Sequence, residues 1–332
     1  MNLWRVPVDE AAGRVLGEPE PVTAPSVWCG SPNLSRDGKT FAYASLDFRS
    51  TLFRKAFDPA REEAIGLAAP VLKSTLPIRD HAISPDGRRV AFTTFGHEDL
   101  YVVGADGSSF RRLTDDPFRD RGPSWSPIGD QIVFYSDRSG EYELWSIRSD
   151  GSGLRQLTHG AGATNYPVWS PDGSRIATAD VRGKSWSVLD AVSGETVKEF
   201  SKTVRAGIRF WPFGWSSDAA QLLGLGVNEN GSPESIAVYS MADGRYEELH
   251  AVDKTAFVWP AWLADGHRVV FRDKKGIFLL SSGRVRQLVA VGGYAVGESL
   301  GVSRDDRSIT YTETAAEGDV WLARFDSGSR AK

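Results

Sequence analysis

The tetrapeptide Ser84-Pro85-Asp86-Gly87 decides the fold, because it returns as Ser170-Pro171-Asp172-Gly173 and, in weaker form, at five further places. The weaker copies are Ser35-Arg36-Asp37-Gly38, Ser126-Pro127-Ile128-Gly129, Ser216-Ser217-Asp218-Ala219, Leu263-Ala264-Asp265-Gly266 and Ser303-Arg304-Asp305-Asp306. Successive copies lie about 40 to 49 residues apart. A period of this length is typical of repeat architectures in which each unit packs against the next.

The sequence around each turn repeats as well. A β-rich run such as Val90-Ala91-Phe92-Thr93 follows the turn, and a second run such as Leu144-Trp145-Ser146-Ile147 comes next. A short turn such as Ala105-Asp106-Gly107 then leads into a fourth run, as in residues 110–114. Asp-Gly pairs supply the positive φ angles of tight hairpins, and no segment has helical periodicity. We therefore predict an all-β, seven-bladed β-propeller of four-stranded antiparallel blades that forms one domain over residues 1–332.

The blade count has two alternatives. The copies of the turn in the fifth and seventh units, which begin near Trp215 and Val302, depart most from the pattern. Six or eight blades therefore stay open.

The order of these motifs resembles the WD40-like repeats of the TolB-type (PD40) β-propellers. Residues 169–177, with Trp-Ser-Pro-Asp-Gly followed by Ile-Ala, and residues 144–158, with Leu-Trp, Asp-Gly and Arg-Gln-Leu-Thr, carry the likeness best. The resemblance covers about the whole chain and implies a bacterial binding module. It favours a periplasmic or other extracytoplasmic location, while a cytoplasmic one stays open. Fold alone does not specify the ligand.

The two ends of the chain both contain a segment of the third-strand type. These segments are Leu3-Trp4-Arg5-Val6 and Val320-Trp321-Leu322, and no clear fourth strand follows the second one. We predict that residues 1–23 complete the last blade, which would remove an open sheet edge, with residues 18–23 as its outer strand. The alternative is a chain cut from a longer parent within a preceding blade.

Charge and cysteine content exclude several classes of function. The 332 residues contain 39 Lys and Arg against 43 Asp and Glu, so the net charge is −4 and a nucleic-acid partner is not expected. Cys29 is the one cysteine, which excludes an internal disulfide and a cysteine-based metal site. No apolar run approaches the roughly 18 residues of a membrane span, so we expect no membrane segment in this chain.

One face of a propeller carries the loops that enter each first strand, and ligands most often bind there, around the channel mouth. Polar and aromatic residues at these positions are the predicted ligand-binding residues: Arg79, Asp80, His81, Arg121, Asn165, Tyr166, Trp211, Trp259 and Glu298. Arginine forks bind carboxylates, and aromatic rings supply contact area. We predict a non-catalytic module, the sensor or scaffold part of a larger bacterial protein, that recognises a protein segment, peptide or small ligand. The competing interpretation is that these are ordinary solvated loop residues.

A second hypothesis is a lyase or hydrolase that acts on a sugar acid or lactone. His81 would be its base or metal ligand, and Arg79 and Arg121 would hold the substrate carboxylate beside Asp80. Only His81 and His97 fall on the predicted mouth, so they form at most a weak candidate metal site. No nucleophile elbow or phosphate-binding glycine loop is present, so the sequence favours a binding module with no catalytic residues and no cofactor. A third hypothesis is a structural fragment without activity of its own.

A tryptophan precedes the turn serine, or its equivalent, in four of the units. Trp125, Trp169, Trp215 and Trp262 occupy this position, and a repeated aromatic of this kind is predicted to pack between blades. The turn aspartates are predicted to accept hydrogen bonds from backbone amides, because the loop is too short for an EF-hand calcium site.

Overall fold

The structure is a computed structural model that describes residues 4–9, 11–21, 28–37, 40–160, 164–180, 185–201, 207–253, 258–291 and 299–324. The chain divides into two compact units. Residues 1–49 and 315–332 form the terminal unit, and residues 50–314 form the ring unit. Within the described ranges every regular element is a β-strand, and no helix is long and apolar enough to cross a membrane.

The ring unit contains six four-stranded antiparallel blades, of which five are built from consecutive strands. The first three of these five are β8 (Ile78–Ile83), β9 (Arg89–Thr94), β10 (Leu100–Gly104) and β11 (Arg111–Arg112); β12 (Asp120–Trp125), β13 (Gln131–Ser136), β14 (Glu143–Arg148) and β15 (Arg155–Gln156); and β16 (Thr164–Trp169), β17 (Arg175–Asp180), β18 (Ser185–Asp190) and β19 (Thr196–Ser201). The next two are β20 (Arg209–Trp215), β21 (Gln221–Val227), β22 (Pro233–Ser240) and β23 (Tyr246–Ala251); and β24 (Trp259–Trp262), β25 (Val269–Asp273), β26 (Gly276–Ser281) and β27 (Arg284–Ala290).

The sixth blade joins the two ends of the ring unit. Its first two strands are β28 (Leu300–Val302) and the first part of β29 (Ser308–Arg324). Its third and fourth strands are the second part of β6 (Thr40–Asp58) and β7 (Glu63–Ser74). The Ser50 and Thr314 hydroxyls are hydrogen-bonded at 3.0 Å where β6 and β29 meet. This blade therefore combines strands from the beginning and the end of the repeat array.

The first strands of neighbouring blades contact each other in the order β8, β12, β16, β20, β24 and β28, and β28 contacts β8. The ring thus closes with six blades, and the prediction of seven is wrong. The first copy of the turn begins at Ser35, which lies in the terminal unit between β5 (Trp28–Leu34) and β6. Because β6 continues into the sixth blade as one strand, this hairpin adds a copy of the turn without adding a blade to the ring.

The terminal unit contains short antiparallel pairs. β1 (Trp4–Arg5) pairs with β4 (Glu20–Pro21), β2 (Val8–Asp9) pairs with β3 (Arg14–Val15), and β5 pairs with the first part of β6. Arg5 forms an ion pair with Glu20 at 2.6 Å. Residues 22–27 lie outside the described residues, and the completion of the last blade by residues 1–23 stays a prediction.

Apolar side chains of adjacent blades pack into shared clusters. Leu100 and Val102 of the first blade pack with Ile132 and Phe134 of the second, and Leu100, Ile132 and Phe134 are 0% exposed. Trp125 lies in the same cluster at 6% exposure, which confirms its predicted packing role. Burial of large side chains between blades supplies the main stabilisation of the ring.

The repeated turn is held by a recurring set of hydrogen bonds. In the first blade, the Ser84 hydroxyl donates to Asp86 at 2.5 Å and accepts from the Arg89 amide at 2.9 Å. The Arg88 amide donates to Asp86 at 3.0 Å. The same bonds form around Asp172, where they lower the pKa of the carboxyl to about 2. The turn aspartates thus accept backbone hydrogen bonds, as predicted.

Candidate functional site

Four of the first strands contain an irregularity where the pairing register shifts. The shifts lie between Ile78 and His81 in β8, between Arg121 and Ser124 in β12, and at the matching places in β16 and β20. A bulge redirects side chains relative to a regular strand. These irregularities therefore set which side chains face the centre of the ring.

The residue four positions before the turn serine, or its equivalent, faces the channel in every blade. We call these six the rim residues: Asp80, Gly122, Tyr166, Pro212, Trp259 and Ser299. They line a central channel of about 470 Å³ that is surrounded by the first strands. The rim residues lie toward the end of the channel that carries the loops entering the first strands, which we call the loop end.

Asp80 is the one charged residue among the six rim residues, and it is 5% exposed. Its Oδ2 accepts a hydrogen bond from the Gly122 amide at 3.3 Å and lies 3.4 Å from Nε of Arg79. Burial raises the pKa of the Asp80 carboxyl, although the charges of Arg79 and Arg121 act in the opposite direction. The cost of removing this carboxylate from water is therefore only partly offset by the arginines.

Arg121 does not line the channel, because Glu98 occupies its fork. Nε and Nη2 of Arg121 donate to the two oxygens of Glu98 at 2.5 and 2.8 Å. Nη1 of Arg79 lies 4.0 Å from Glu98, and its guanidinium lies over the Phe95 ring. The arginines predicted to hold a ligand carboxylate are thus already held by Glu98. The sequence places Glu98 on the same face, but it carries no signal for this pairing.

Aromatic rings form a continuous cluster on the opposite side of the loop end. Tyr166 and Trp259 meet edge to face with centroids 5.4 Å apart, and Phe213 lies 4.9 Å from Trp259 and 6.0 Å from Tyr166. Trp211 is a further neighbour of Tyr166 at 6.5 Å. Burial raises the pKa of the Tyr166 phenol to about 12, so it stays neutral.

Two of the predicted site residues do not line the channel but leave polar atoms buried beside the aromatic cluster. Within the described ranges, Oδ1 of Asn165 and Nε1 of Trp211 have no hydrogen-bond partner. Glu298, the last predicted site residue, lies outside the described residues.

Gly122 connects the charged and aromatic sides of the loop end. Its φ of +58° is in the left-handed region, and a Cβ at this position would lie 2.7 Å from Cε1 of Tyr135. The absent side chain lets the Tyr135 ring reach Tyr166, with centroids 5.6 Å apart. Neither this glycine nor Tyr135 was among the predicted site residues, because the strain and the contact are visible only in the structure.

Both ring nitrogens of His81 are bonded to hydroxyl groups of the sixth blade. Nδ1 lies 2.5 Å from the Ser299 hydroxyl, and Nε2 lies 3.0 Å from the Thr310 hydroxyl. Because the Thr310 hydroxyl donates to the Gly301 carbonyl, it accepts from Nε2–H, and Ser299 donates to Nδ1. Burial lowers the pKa of His81 to about 3, so the ring is neutral at pH 7.

The two histidines of the candidate metal site have different environments. His81 is 6% exposed, whereas His97 is exposed. Among the described residues, no group of three or more His, Cys, Asp and Glu side chains is arranged to hold a metal ion. A metal or substrate that used His81 would have to replace one of its two hydroxyl partners.

Known proteins resemble this chain in sequence over parts of its length. It is 32% identical over 123 residues to the uncharacterized protein Atu1656 of Agrobacterium fabrum, which is 34% of this chain and 36% of that protein. It is 52% identical over 44 residues to the Tol-Pal system protein TolB of Anaeromyxobacter dehalogenans, which is 13% of this chain and 10% of that protein. The chain thus matches 36% of the length of the first relative and 10% of the length of the second.

The fold resembles solved propellers. The structure of TolB from Acinetobacter baumannii superimposes with a TM-score of 0.54 at 16% identity, over 82% of this chain and 66% of that one. The family model of the TolB beta propeller domain, PD40, matches residues 18–208, which is more than half of the chain. The repeated turns, the four-stranded blades and this match lead to one conclusion: the chain belongs to the TolB β-propeller (PD40) family.

Proposed function

We propose that the ring unit is a non-catalytic protein-recognition module that binds a segment of a partner protein at the loop end of the channel. The observation that carries the proposal is the set of six rim residues, which all open on one channel of about 470 Å³. Concave sites with apolar walls and a few polar groups are the usual form of binding sites. Aromatic residues at such a site contribute much of the binding free energy.

The distribution of residues supports a protein ligand more than a catalytic reaction. Tyr166, Phe213 and Trp259 offer a broad aromatic wall, whereas the arginine and the histidine that a reaction would use are engaged with other side chains. Glu98 holds Arg121, and His81 is bonded at both nitrogens. Membership of a family that includes a protein named for the Tol-Pal system agrees with a scaffold role.

The competing proposal, a lyase or hydrolase for a sugar acid or lactone, requires more rearrangement. His81 would have to give up a hydroxyl partner to act as a base, and its pKa of about 3 makes it a weak one at pH 7. Arg121 would have to leave Glu98 to hold a carboxylate.

Peptide selection followed by affinity measurement tests the binding proposal. Displayed peptides that bind the full chain should lose roughly 10-fold or more in affinity when Trp259 or Tyr166 is changed to Ala, because each ring supplies buried contact area. Phe110→Ala is the matched control, since it removes an aromatic ring that is 56% exposed on the outer side of the first blade. Peptides that bind equally well to all three variants would place the binding surface elsewhere.

A further inference from the structure

The charged side chains at the loop end differ in whether they line the channel. Asp80 lines the channel, whereas Arg79, Glu98 and Arg121 do not. The other rim residues are neutral: Gly122, Tyr166, Pro212, Trp259 and Ser299. A ligand at the loop end therefore meets one negatively charged side chain among neutral ones, most of them apolar or aromatic.

Asp80 has an incomplete set of partners for a buried carboxylate. Oδ2 accepts one long backbone hydrogen bond, at 3.3 Å from Gly122, and faces Nε of Arg79 at 3.4 Å. Glu98 is the second carboxylate near Arg79. The two negative charges of Asp80 and Glu98 neutralise the two positive charges of Arg79 and Arg121. Within the described part of the chain, no hydrogen bond to Oδ1 of Asp80 is present. The carboxylate thus has capacity for a further cationic donor.

The aromatic wall is complementary to the same kind of ligand. The faces of Tyr and Trp rings attract cations through their quadrupoles, and the attraction strengthens where water is excluded. Tyr166 links the two sides, because its ring contacts Trp259 and Phe213 and lies beside the Gly122–Tyr135 contact. The charge of Asp80 also reaches Tyr166, where it contributes to the raised pKa of the phenol.

We propose that the loop end of the channel accepts a basic side chain of the partner segment, with Asp80 as its counter-ion and Tyr166 and Trp259 as its aromatic walls. This inference rests on the proposed function and specifies its ligand. An arginine side chain fits best, because a planar guanidinium can donate two hydrogen bonds to a carboxylate and also stack on aromatic rings. Arg79 and Arg121 do not compete for this place, since they lie outside the channel lining. Arg304 does line the channel, but it lies in the turn after β28, away from the loop end.

Small amides that isolate the charge test the proposal. The probes are N-acetyl-arginine amide, its neutral isostere N-acetyl-citrulline amide and N-acetyl-glutamate amide, titrated into the full chain by ligand-observed NMR. We expect the arginine amide to bind at least about 5-fold more tightly than the citrulline amide. In Asp80→Asn, where the amide oxygen still accepts from Gly122, this ratio should fall to near one.

Controls separate a charge effect from a change in folding. Asp106→Asn removes a carboxylate outside the channel lining and should keep the wild-type ratio. Asp80→Glu keeps the charge and should retain part of the arginine preference. The thermal unfolding of each variant shows whether the ring is intact.

The outcomes distinguish this inference from the proposed function. A wild-type ratio near one, undetectable binding of the arginine amide, tighter binding of the glutamate amide, or a ratio unchanged in Asp80→Asn would each overturn the inference. If selected peptides still lose affinity in Trp259→Ala, the recognition module stands and only its charge preference is lost. If they do not, the proposed function fails as well.

Discussion

At the scale of single residues, His81 couples the folding of the ring to pH. Its imidazole is buried between the hydroxyls of Ser299 and Thr310, and the buried guanidinium of Arg272 further disfavours a second proton. Its pKa is about 3 in the folded protein and 6.5 when unperturbed. Above the unperturbed value both states hold a neutral ring. Below it the His81 imidazole binds a proton in the unfolded chain but stays neutral in the folded protein.

This linkage predicts a loss of stability in mild acid. The free energy of unfolding should fall as pH drops from 6.5 toward the folded pKa of about 3, and His81 should account for roughly 2 kcal/mol at about pH 5. Urea unfolding of wild type and His81→Asn at about pH 7.5 and about pH 5 measures the difference. His267→Asn, at an exposed turn position, should keep the wild-type dependence. Equal acid losses in wild type and His81→Asn would contradict the assignment.

The identity of the rim residues could be predicted from sequence more readily than their partners. The sequence predicts Asp80, Tyr166 and Trp259 as site residues just before first strands; in the structure they lie within β8, β16 and β24 and line the channel. Their pairing could not be predicted, since the bonds of His81 join residues more than 200 positions apart. No local pattern encodes a contact of that range.

At the scale of strands, the repeated tryptophans tie each first strand to the one before it. Nε1 of Trp125 donates to the Ala82 carbonyl at 3.0 Å, and Trp169 and Trp215 donate to Ser124 and Val168, each at 3.2 Å. The matching bond is absent at Trp262, whose Nε1 is buried without a partner within the described residues. The same position of the repeat thus supplies a hydrogen bond between first strands in three blades, whereas at Trp262 it leaves a buried N–H without a partner within the described residues.

This difference predicts unequal effects of one substitution. Trp169→Phe removes a hydrogen bond and ring volume, whereas Trp262→Phe removes similar volume and a polar group that lacks a partner. We expect Trp169→Phe to cost about 1 kcal/mol more of the free energy of unfolding. Both tryptophans are half-buried, so urea denaturation of the two variants is a matched comparison. Equal losses would show that the bond to Ser124 contributes nothing measurable.

The bulges of the first strands could not be read from the sequence. Alternation of residue type predicts where a strand runs, but a register shift of one residue depends on how that strand pairs with the neighbouring strand. In β12 the shift includes Gly122, whose missing side chain leaves room for the Tyr135 ring. The candidate site therefore depends on irregularities that the repeat pattern conceals.

At the scale of the whole ring, closure is secured by a contact between the sixth and fifth blades. Glu62, in the turn before β7, accepts from Arg268 at 3.2 Å and from the Ser281 hydroxyl at 3.0 Å. Arg286 lies 3.7 Å from the same carboxylate, and Arg268 also donates to the Pro59 carbonyl at 2.6 Å. This group of bonds holds the segment that the N-terminal part contributes to the last blade.

The contact predicts a salt-dependent contribution to ring stability. Glu62→Ala should lower the free energy of unfolding by about 1 kcal/mol at low ionic strength, and the loss should shrink at high salt because the groups are partly exposed. Amide exchange in β6 and β7 should accelerate more than in β13. Asp243→Ala is the control, since its 4.0 Å pair with Arg245 is largely exposed and should contribute little. An effect confined to other blades would contradict a role in closure.

The sequence by itself determined the family, the all-β class and the four-stranded unit, because turns and strand alternation are local properties of each repeat. It also determined which residue types enter the first strands. Only the tertiary structure decided that six blades close the ring and that Glu98 occupies the fork of Arg121, which leaves Asp80 as the one charged rim residue. The physical reason is that a count of turns records hairpins, whereas a blade requires four strands to pair. β6 provides the third strand of the last blade as a continuation of an earlier hairpin, and pairing between the two ends of a chain leaves no periodic trace in its sequence.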